Sequence, residues 1–503
     1  SKLFSRIVIT GVLILIQAAW FWSLFTSLSS YAHWLNPLMI VLSVIMCAVL
    51  IRQDSTAPEF KISWMVLFMI MPVQGGLLYL LWGDKRPAFR LRKKLDWAYD
   101  RIRPLRRTDP AAQAMLEQAN PRAGRTAAYL RDFAAYPVYS GTNVKFYASG
   151  EAVFPDLLEA LESAQESILL EFFIISKGKM WDAVHDVLRR KAAQGVDVRM
   201  IYDDVGCATG LHAQTLQVEG IQAVPFNPFV PLLNLVMNSR DHRKIVVVDG
   251  KTAFTGGFNL ADEYINQKER FGYWCDTGVR LQGPAAWSFA TIFLELWASQ
   301  RPDDPGLDAY REEQPFPAEE PTIGLVQPYS DSPVDDENVS KNVYLDLITQ
   351  AQETLWITTP YLILDNATMT ALRLAAKRGV DVRIYTPGIP DKKMVYQLTC
   401  SYFEPLIRSG VKIYTFTPGF LHAKTWLVDG RIAVVGSINL DYRSLYLHFE
   451  CAALLYGCAA LADVGEFMMQ LEKQSHLVEL KECRTSAPGL MVSALLRLLA
   501  PLC

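Results

Sequence analysis

The first eighty or so residues of the chain are a nearly unbroken series of apolar positions. From Ile7 to Ile51 there is no Asp, Glu, Lys or Arg, and Ile62 to Gly83 is a second uncharged run. Both exceed the roughly 20 apolar residues that cross a bilayer as a helix. Polar residues between 27 and 37 divide the longer run, so the pattern predicts three membrane helices, within 7–28, 38–51 and 62–83. A signal peptide is the alternative for the first, because basic residues precede it at positions 2 and 6.

Beyond this region the periodicity changes, and one pattern occurs twice. Residues 157–204 and 344–385 each read as an amphipathic helix, a short apolar strand, a helix ending at a glycine, and a strand containing Val-Asp-Val-Arg. Helices that alternate with short strands are typical of an α/β lobe in which helices pack on a sheet. We therefore expect an α/β fold, with two pseudo-symmetric lobes after the membrane helices. The predicted boundaries are membrane segments 1–83, a basic juxtamembrane linker 84–135, a first lobe 136–300, a Pro-rich and acidic connector 301–335 and a second lobe 336–503.

Charge and composition place these lobes beside a membrane and do not suggest a nucleic-acid partner. The 503 residues carry 49 Lys and Arg against 52 Asp and Glu, so no global basic field is expected. Between Asp84 and Arg107, however, ten basic residues stand against three Asp. By the positive-inside rule this run predicts a multi-pass membrane protein with its lobes on the cytoplasmic face. The run either rests on anionic headgroups or only sets the topology.

The eight cysteines show no Cys-x-x-Cys spacing, which is typical of free thiols in a reducing compartment. The sequence also contains no metal-ligand cluster, P-loop or dinucleotide-binding motif. Neither a metal nor a cofactor is therefore predicted.

The candidate chemistry lies in a second duplicated motif, one copy in each predicted lobe. Each copy reads His-x-Lys, an Asp five residues after the Lys, and later Gly-x-x-Asn. At ordinary Lys and Asp frequencies, chance would give the His-Lys-Asp core only about 0.02 times in this chain. The copies comprise His242, Lys244, Asp249, Gly256 and Asn259, and His422, Lys424, Asp429, Gly436 and Asn439.

Strand geometry gives this spacing a meaning. His and Lys two residues apart lie on one face of a strand, and Asp-Gly is a favoured two-residue hairpin turn. Turns at Asp249 and Asp429 would pair Lys244 with Thr255, and His242 with Gly257, in the first copy. Both aspartates complete the motif but sit at the turns, which favours a structural role over a catalytic one.

The same hairpins would return Asn259 and Asn439 to the faces of the histidines and lysines. Gly257 and Ser437, opposite the histidines, would leave room for a ligand. Each half then presents an imidazole, an ammonium and an amide together. Such a set is suited to binding and attacking a phosphoryl group.

At these residues the sequence resembles the phospholipase D superfamily, and within it the bacterial cardiolipin synthases. The resemblance runs from the apolar segments to the C-terminus, and its most specific strings are SRDHRKI, TGGFNLADEYIN, GYWCDTG, TPGIPDKK, GFLHAKT and NLDYRSLYLHFE. Two features depart from the family pattern. The first apolar segment is additional to the usual two, and Gly257 stands where a serine is common, although Ser437 keeps the serine in the other half.

The resemblance implies one active site shared by both lobes and a two-step transfer without a metal. One histidine would attack the phosphodiester of phosphatidylglycerol, and a second phosphatidylglycerol would then attack the phosphohistidine to give cardiolipin. The implied roles are His242 as nucleophile, His422 as general acid and then base, Lys244, Lys424, Asn259, Asn439 and Ser437 as phosphate-binding groups, and Asp276 and Glu450 as acceptors that hold the histidines. As the alternative, Asp276 and Glu450 are buried ion-pair partners of nearby arginines.

Other functions remain open from the sequence alone. A hydrolytic phospholipase D would use the same residues with water as acceptor, and phosphatidylethanolamine is an alternative phosphatidyl donor. A nuclease is disfavoured because the chain lacks a broad basic groove signature. A scaffold without activity is disfavoured because both motif copies are complete. The expected partners are phosphatidylglycerol and anionic membrane lipids, and the sequence specifies no oligomeric state.

Overall fold

The structure is a computed structural model of the chain. It describes residues 32–52, 58–71, 75–76, 78–79, 89–207, 213–228, 239–304, 306–307, 322–483 and 487–502. The first predicted membrane segment, within 7–28, lies outside the described residues.

Two helices precede the lobes, α1 (Ala32–Ile51) and α2 (Pro58–Ile70). They pack on each other, and the Ser43 hydroxyl on α1 donates a 2.8 Å hydrogen bond to the carbonyl of Phe68 on α2. α1 begins six residues before the predicted second segment and continues through Pro37. The described part of α2 ends at Ile70, inside the predicted third segment, and residues 72–74 lie outside the described residues. Among the described residues, no helix is both long and apolar enough to cross a membrane.

The first lobe is built on a seven-stranded sheet, after three helices that fall in the predicted linker. Those helices are α3 (Phe89–Ile102), α4 (Pro110–Ala119) and α5 (Pro121–Phe133). The strands of the first half are β1 (Asn143–Tyr147), β2 (Ser167–Phe172), β3 (Asp197–Asp203), β4 (Gln222–Phe226), β5 (Arg240–Asp241), β6 (Lys244–Val248), β7 (Thr252–Gly256), β8 (Tyr273–Cys275) and β9 (Gly278–Gln282). Its helices are α6 (Gly150–Ser163), α7 (Lys179–Ala193), α8 (Ala213–Val218) and α9 (Pro284–Gln300).

The second lobe repeats this plan. Its strands are β10 (Leu325–Asp331), β11 (Thr354–Thr358), β12 (Asp381–Pro387), β13 (Lys412–Phe416), β14 (Gly419–Leu421), β15 (Thr425–Val428), β16 (Ile432–Gly436), β17 (His448–Tyr456) and β18 (Ser475–Leu477). Its helices are α10 (Val339–Gln350), α11 (Asn366–Lys377), α12 (Lys393–Ser401), α13 (Phe403–Ile407), α14 (Tyr442–Tyr446), α15 (Leu461–Lys473) and α16 (Ala487–Leu499). Short 3₁₀ helices occur at Arg103–Leu105, Asp262–Ile265 and Ala500–Leu502.

The two sheets have the same strand order. The first runs β1-β9-β7-β6-β2-β3-β4, and the second runs β10-β17-β16-β15-β11-β12-β13, with β18 added at its edge. Strand β6 shows why these segments read as continuous apolar runs: Ile245 and Val247 face the core that contains α9, while Val246 and Val248 face the core that contains α6 and α7. The predicted duplication into two α/β lobes is confirmed.

The hairpin register predicted from the Asp-Gly turns is wrong by one residue. In the first lobe Ile245, not Lys244, lies opposite Thr255, and the ladder closes with Val248 opposite Thr252. Asp249 and Gly250 both adopt the left-handed conformation, with φ of 51° and 64°. Lys251 also stays outside the ladder, so three residues rather than two separate the paired strands. The second lobe has the same three-residue loop, because Val428 pairs with Ile432.

Each lobe contributes a short strand that pairs with the other lobe. β5 runs parallel to the start of β17, and β8 runs parallel to β14. Both motif histidines follow directly from these crossings. The backbone N–H of His242 donates to Phe449 O at 2.9 Å, and that of His422 donates to Cys275 O at 2.7 Å.

The predicted linker and connector are more structured than their composition suggested. Helix α3 packs along α9, and Arg106 of the basic run is buried in an ion pair with Glu295 of α9. Arg106 therefore does not face lipid headgroups, which was one of the two alternatives for this run. Within the predicted connector, β10 is a strand of the second sheet and pairs with β17.

Candidate active site

The two motif histidines are each held by an acid from the opposite lobe. His242 Nδ1 lies 2.9 Å from Glu450 Oε1, and His422 Nδ1 lies 2.7 Å from Asp276 Oδ2. Both acids are fully buried. A carboxylate at Nδ1 keeps the proton on that nitrogen and leaves Nε2 for a substrate. Because each histidine needs an acid from the other lobe, the two lobes form one site.

The two motif lysines are fully buried. Each Nζ donates a hydrogen bond to the carbonyl of its own motif histidine, Lys244 to His242 and Lys424 to His422. Burial is the main cause that lowers the pKa of Lys244 to about 8 and that of Lys424 to about 7. Both lysines can therefore carry a positive charge near neutral pH next to a bound anion.

Burial, followed by Lys424, lowers the pKa of His422 to about 4. Burial, followed by Lys244, lowers the pKa of His242 well below its ordinary value. The lysine of the opposite lobe contributes to both decreases. These lowered pKa values favour neutral imidazoles, which is the state a nucleophile requires.

The two acids differ in their electrostatic surroundings. Burial alone would raise the pKa of Asp276, but His422, Lys424 and hydrogen bonds from His422 and Thr277 outweigh it, and the pKa is lowered. For Glu450, burial outweighs Lys244 and the hydrogen bond from Ser437, and the pKa is raised well above its ordinary value. Of the two histidines, His422 is therefore paired with the acid of lower pKa.

The two motif asparagines differ in their hydrogen bonds. Asn259 Oδ1 accepts from the backbone N–H of Ile174 at 3.0 Å, and its Nδ2 donates to the Tyr264 hydroxyl at 2.7 Å. Asn439 is buried, and its Oδ1 has no hydrogen-bond partner among the described residues. Of the two amides, Asn439 is the freer to bind a ligand.

The space predicted for a ligand opposite the histidines is taken by the acids. A Cβ atom at Gly257 would lie 2.1 Å from Asp276 Oδ1, so glycine there makes room for this carboxylate. In the other lobe Ser437 donates its hydroxyl to Glu450. The phosphate-binding role of Ser437 stays a prediction, and this hydrogen bond does not favour it.

The motif aspartates bind backbone instead of the histidines. Asp249 accepts hydrogen bonds of 2.8–2.9 Å from the N–H groups of residues 165–167, at the start of β2. Asp429 accepts the equivalent bonds from residues 352–354, before and at the start of β11. Each aspartate ties its hairpin loop to the neighbouring strand. This arrangement agrees with the structural role that their turn positions suggested.

Asp276 and Glu450 lie where the resemblance placed them, but sequence reasoning did not assign each acid to a histidine. Neither forms an ion pair with an arginine among the described residues, contrary to the alternative. Sequence reasoning also missed His448, which lies beside His242 with 5.6 Å between ring centroids. The available signal was its position two residues before Glu450, on the same face of a strand.

Comparison with known proteins identifies the family. The model of the cardiolipin synthase, phospholipase D-like domain matches residues 157–296 and 344–473, and that of the phospholipase D-nuclease N-terminal region matches 41–83. The chain is 41% identical to an uncharacterized protein of Streptococcus mutans, over 88% of this chain and 96% of that protein. It is 32% identical to a cardiolipin synthase of Halalkalibacterium halodurans, over 87% and 88% of the two chains.

Among solved structures, the phosphatidylserine synthase of Haemophilus influenzae matches with a TM-score of 0.54, over 75% of this chain and 97% of that one. The sequence identity is 17%, so this likeness concerns the fold.

The seven described cysteines are free thiols. The duplicated lobes carry both copies of the motif. The chain belongs to the cardiolipin synthase family of the phospholipase D superfamily and is a phosphatidyltransferase.

Proposed function

We propose that the protein transfers a phosphatidyl group from one phosphatidylglycerol to another, giving cardiolipin and glycerol through a phosphohistidine. The crossed pairing of each histidine with an acid of the other lobe is the observation that carries this proposal. It supplies two imidazoles with defined tautomers in one site, as a double displacement requires.

In the first step, Nε2 of His242 attacks the phosphorus of the donor lipid. The N–P bond forms, the bond from phosphorus to the glycerol oxygen breaks, and His422 gives this oxygen its proton. The difference between the acids supports this assignment. Asp276 stabilises the imidazolium of His422, while Glu450, whose pKa burial raises, stabilises a charged His242 less and favours its neutral, nucleophilic form. An anionic phosphodiester beside His422 favours the charged imidazolium and so raises the pKa of His422, which allows it to carry that proton.

In the second step, His422 acts as the base. A hydroxyl of the second phosphatidylglycerol loses its proton to His422 and attacks phosphorus, and the N–P bond breaks. His242 is regenerated and cardiolipin leaves. The charge on the phosphoryl oxygens is met by Lys244 and Lys424, whose buried ammonium groups interact more strongly than they would in water.

The N-terminal helices are suited to holding this site at a lipid surface. Large apolar side chains are exposed on α1, α2 and α16, namely Leu38, Ile40, Val41, Val44, Ile45, Val49, Ile51, Ile62, Met69, Ile70, Met491, Val492 and Leu495. Such a patch is far more apolar than an ordinary protein surface and is typical of a membrane-binding face. We propose that this face lies in the cytoplasmic side of the bacterial membrane.

Helix α2 also connects this face to the catalytic lobe. Phe60 packs edge-on against Tyr442 and Tyr446 of α14, with 5.6 Å between ring centroids in both cases. The helix α14 leads directly into β17, which carries Glu450. A lipid that reaches the apolar helices by lateral diffusion is therefore already close to the site.

The test is to measure cardiolipin, glycerol and phosphatidic acid together in phosphatidylglycerol liposomes containing the full chain. We expect equal amounts of cardiolipin and glycerol, with phosphatidic acid as a minor product. Dominant phosphatidic acid would identify a hydrolytic phospholipase instead. A parallel sample that adds labelled phosphatidylethanolamine tests the alternative donor, because label in cardiolipin would show that phosphatidylethanolamine supplies the phosphatidyl group.

A further inference from the structure

The proposed mechanism leaves a third histidine of the site unused. His448 is the first residue of β17, two positions before Glu450, so both side chains leave the same face of the strand. Its ring lies beside that of His242, with 5.6 Å between centroids, and the residue is only 9% exposed. His448 is thus buried against the nucleophile and does not belong to the duplicated motif.

Neither ring nitrogen of His448 has a hydrogen-bond partner among the described residues. Its Nδ1 lies 3.9 Å from Glu450 Oε1, which exceeds hydrogen-bond length. Buried polar groups in folded proteins are nearly always hydrogen-bonded. An unpartnered imidazole at the reacting centre therefore points to a ligand as its partner.

The surrounding charge indicates the sign of that ligand. Burial, followed by the positive charges of Arg443 and Lys244, lowers the pKa of His448 well below its ordinary value. His448 is therefore neutral and offers one N–H donor. Arg443 is half-buried, and within the described part of the chain no residue forms a hydrogen bond or ion pair with its guanidinium. A neutral donor among cations favours an anionic ligand.

A metal ion is the competing ligand. One ligand atom each from His242, His448 and Glu450 lie within 4.8 Å of one another, and two histidines with a glutamate are a common zinc set. A divalent cation there would be repelled by Lys244. It would also compete with the His242 proton for Glu450. These charges favour the anion.

We propose that His448 donates its imidazole N–H to a non-bridging oxygen of the phosphodiester bound at His242. The ligand class is a phosphodiester, or the phosphoryl group in transfer. The assignment deepens the proposed function by adding a third histidine that touches the substrate. As charge builds on the phosphoryl oxygens, this hydrogen bond strengthens, so His448 contributes to kcat as well as to binding.

The experiment uses orthovanadate, a mimic of the phosphoryl group in transfer, titrated calorimetrically into the full chain in detergent. His448→Phe keeps a flat ring without a donor, and His448→Gln restores a donor on a shorter amide. We expect His448→Phe to weaken vanadate binding by about 10- to 100-fold, the usual effect of one hydrogen bond to a charged group. His448→Gln should recover most of the affinity. His476→Ala is the control, because that histidine is exposed and contacts Glu482.

The proposal is overturned if His448→Phe unfolds at the same temperature as the unmodified chain and binds vanadate with an affinity within twofold of it. In that case His448 only fills space in the core. Stoichiometric zinc binding that His448→Phe abolishes, with vanadate binding unchanged, would overturn it in favour of a metal. If His448→Phe does not fold, His448→Ala takes its place in the same titration.

These outcomes are separable from failure of the proposed function. Vanadate binding that depends on His448 in a chain that makes no cardiolipin would leave the inference standing while the lipid assignment fails. If His448→Phe forms cardiolipin at an unchanged rate and binds vanadate with unchanged affinity, the role of His448 is wrong while the lipid assignment stands.

Discussion

The two lobes share their strand order and their motif, yet they prepare their histidines differently. In the first lobe His242 is held by Glu450, whose pKa burial raises. In the second, His422 is held by Asp276, whose pKa is lowered because neighbouring charges and hydrogen bonds outweigh burial. Duplication thus supplies two equivalent imidazoles, and the acid that each receives from the opposite lobe makes them unequal. Unequal histidines are what a reaction with one nucleophile and one acid requires.

The largest loss of activity is expected when either imidazole is removed. We expect His242→Ala and His422→Ala each to lower the rate of cardiolipin formation by about 1,000-fold or more, since the two groups act as a unit in one site. The rate is measured in phosphatidylglycerol liposomes. Half of the original activity in either variant would mean that each lobe works alone.

Neutralising the acids tests their inequality directly. Asp276 accepts hydrogen bonds from both His422 and the Thr277 backbone, one at each carboxylate oxygen. An asparagine has only one such oxygen, because its other terminal atom is an NH2 donor. We expect Asp276→Asn to lower kcat by about 100-fold or more and Glu450→Gln to lower it less, because burial raises the pKa of Glu450 whereas the pKa of Asp276 is lowered. Equal losses would contradict the assignment of roles.

The lysines predict an alkaline limit of activity. Their pKa values of about 8 and about 7 mean that each ammonium loses its proton as pH rises through this range. The kcat/KM for phosphatidylglycerol should therefore fall as pH rises from 7 to 9, beginning with Lys424. The decline in kcat should lie at higher pH, because the bound phosphodiester anion stabilises both charges. A flat profile over this range would show that neither lysine titrates there.

The smallest effect on turnover is expected at the motif aspartates, which play the same part in both lobes. Asp249→Asn and Asp429→Asn each place an amide among backbone donors, and each should destabilise its lobe by about 1–3 kcal/mol. Calorimetry should show similar decreases in unfolding temperature for the two variants, with kcat of the folded enzyme changing little. A collapse of kcat at an unchanged unfolding temperature would show that these aspartates act in catalysis.

Part of this arrangement was predictable from the sequence. The repeat of helix, strand, helix and strand predicted the two lobes, because periodicity is a local property of the chain. The motif likewise indicated that His242 and Lys244 lie close together, although His242 lies between β5 and β6 and not on a shared strand face as predicted.

The rest depends on contacts that local patterns do not encode. The pairing of Asp276 with His422 joins residues 146 positions apart, and it arises only when β8 meets β14. The hairpin register shifted because Lys251 stays outside the ladder, a detail of the turn that the Asp-Gly pair does not specify. His448 was missed because its significance comes from its distance to His242 and not from its neighbours in sequence.

The claim that one site contains one nucleophile and one acid is tested most directly with a phosphatidyl-p-nitrophenol substrate. Its phenolate leaves without protonation, so the first step no longer needs His422. We predict that His422→Ala releases a burst of about one p-nitrophenolate per chain and retains a phosphatidyl adduct on His242, because the second step still needs the missing base. His242→Ala should release no burst. A burst from His242→Ala, or an adduct mapped to His422 by mass spectrometry, would contradict the account.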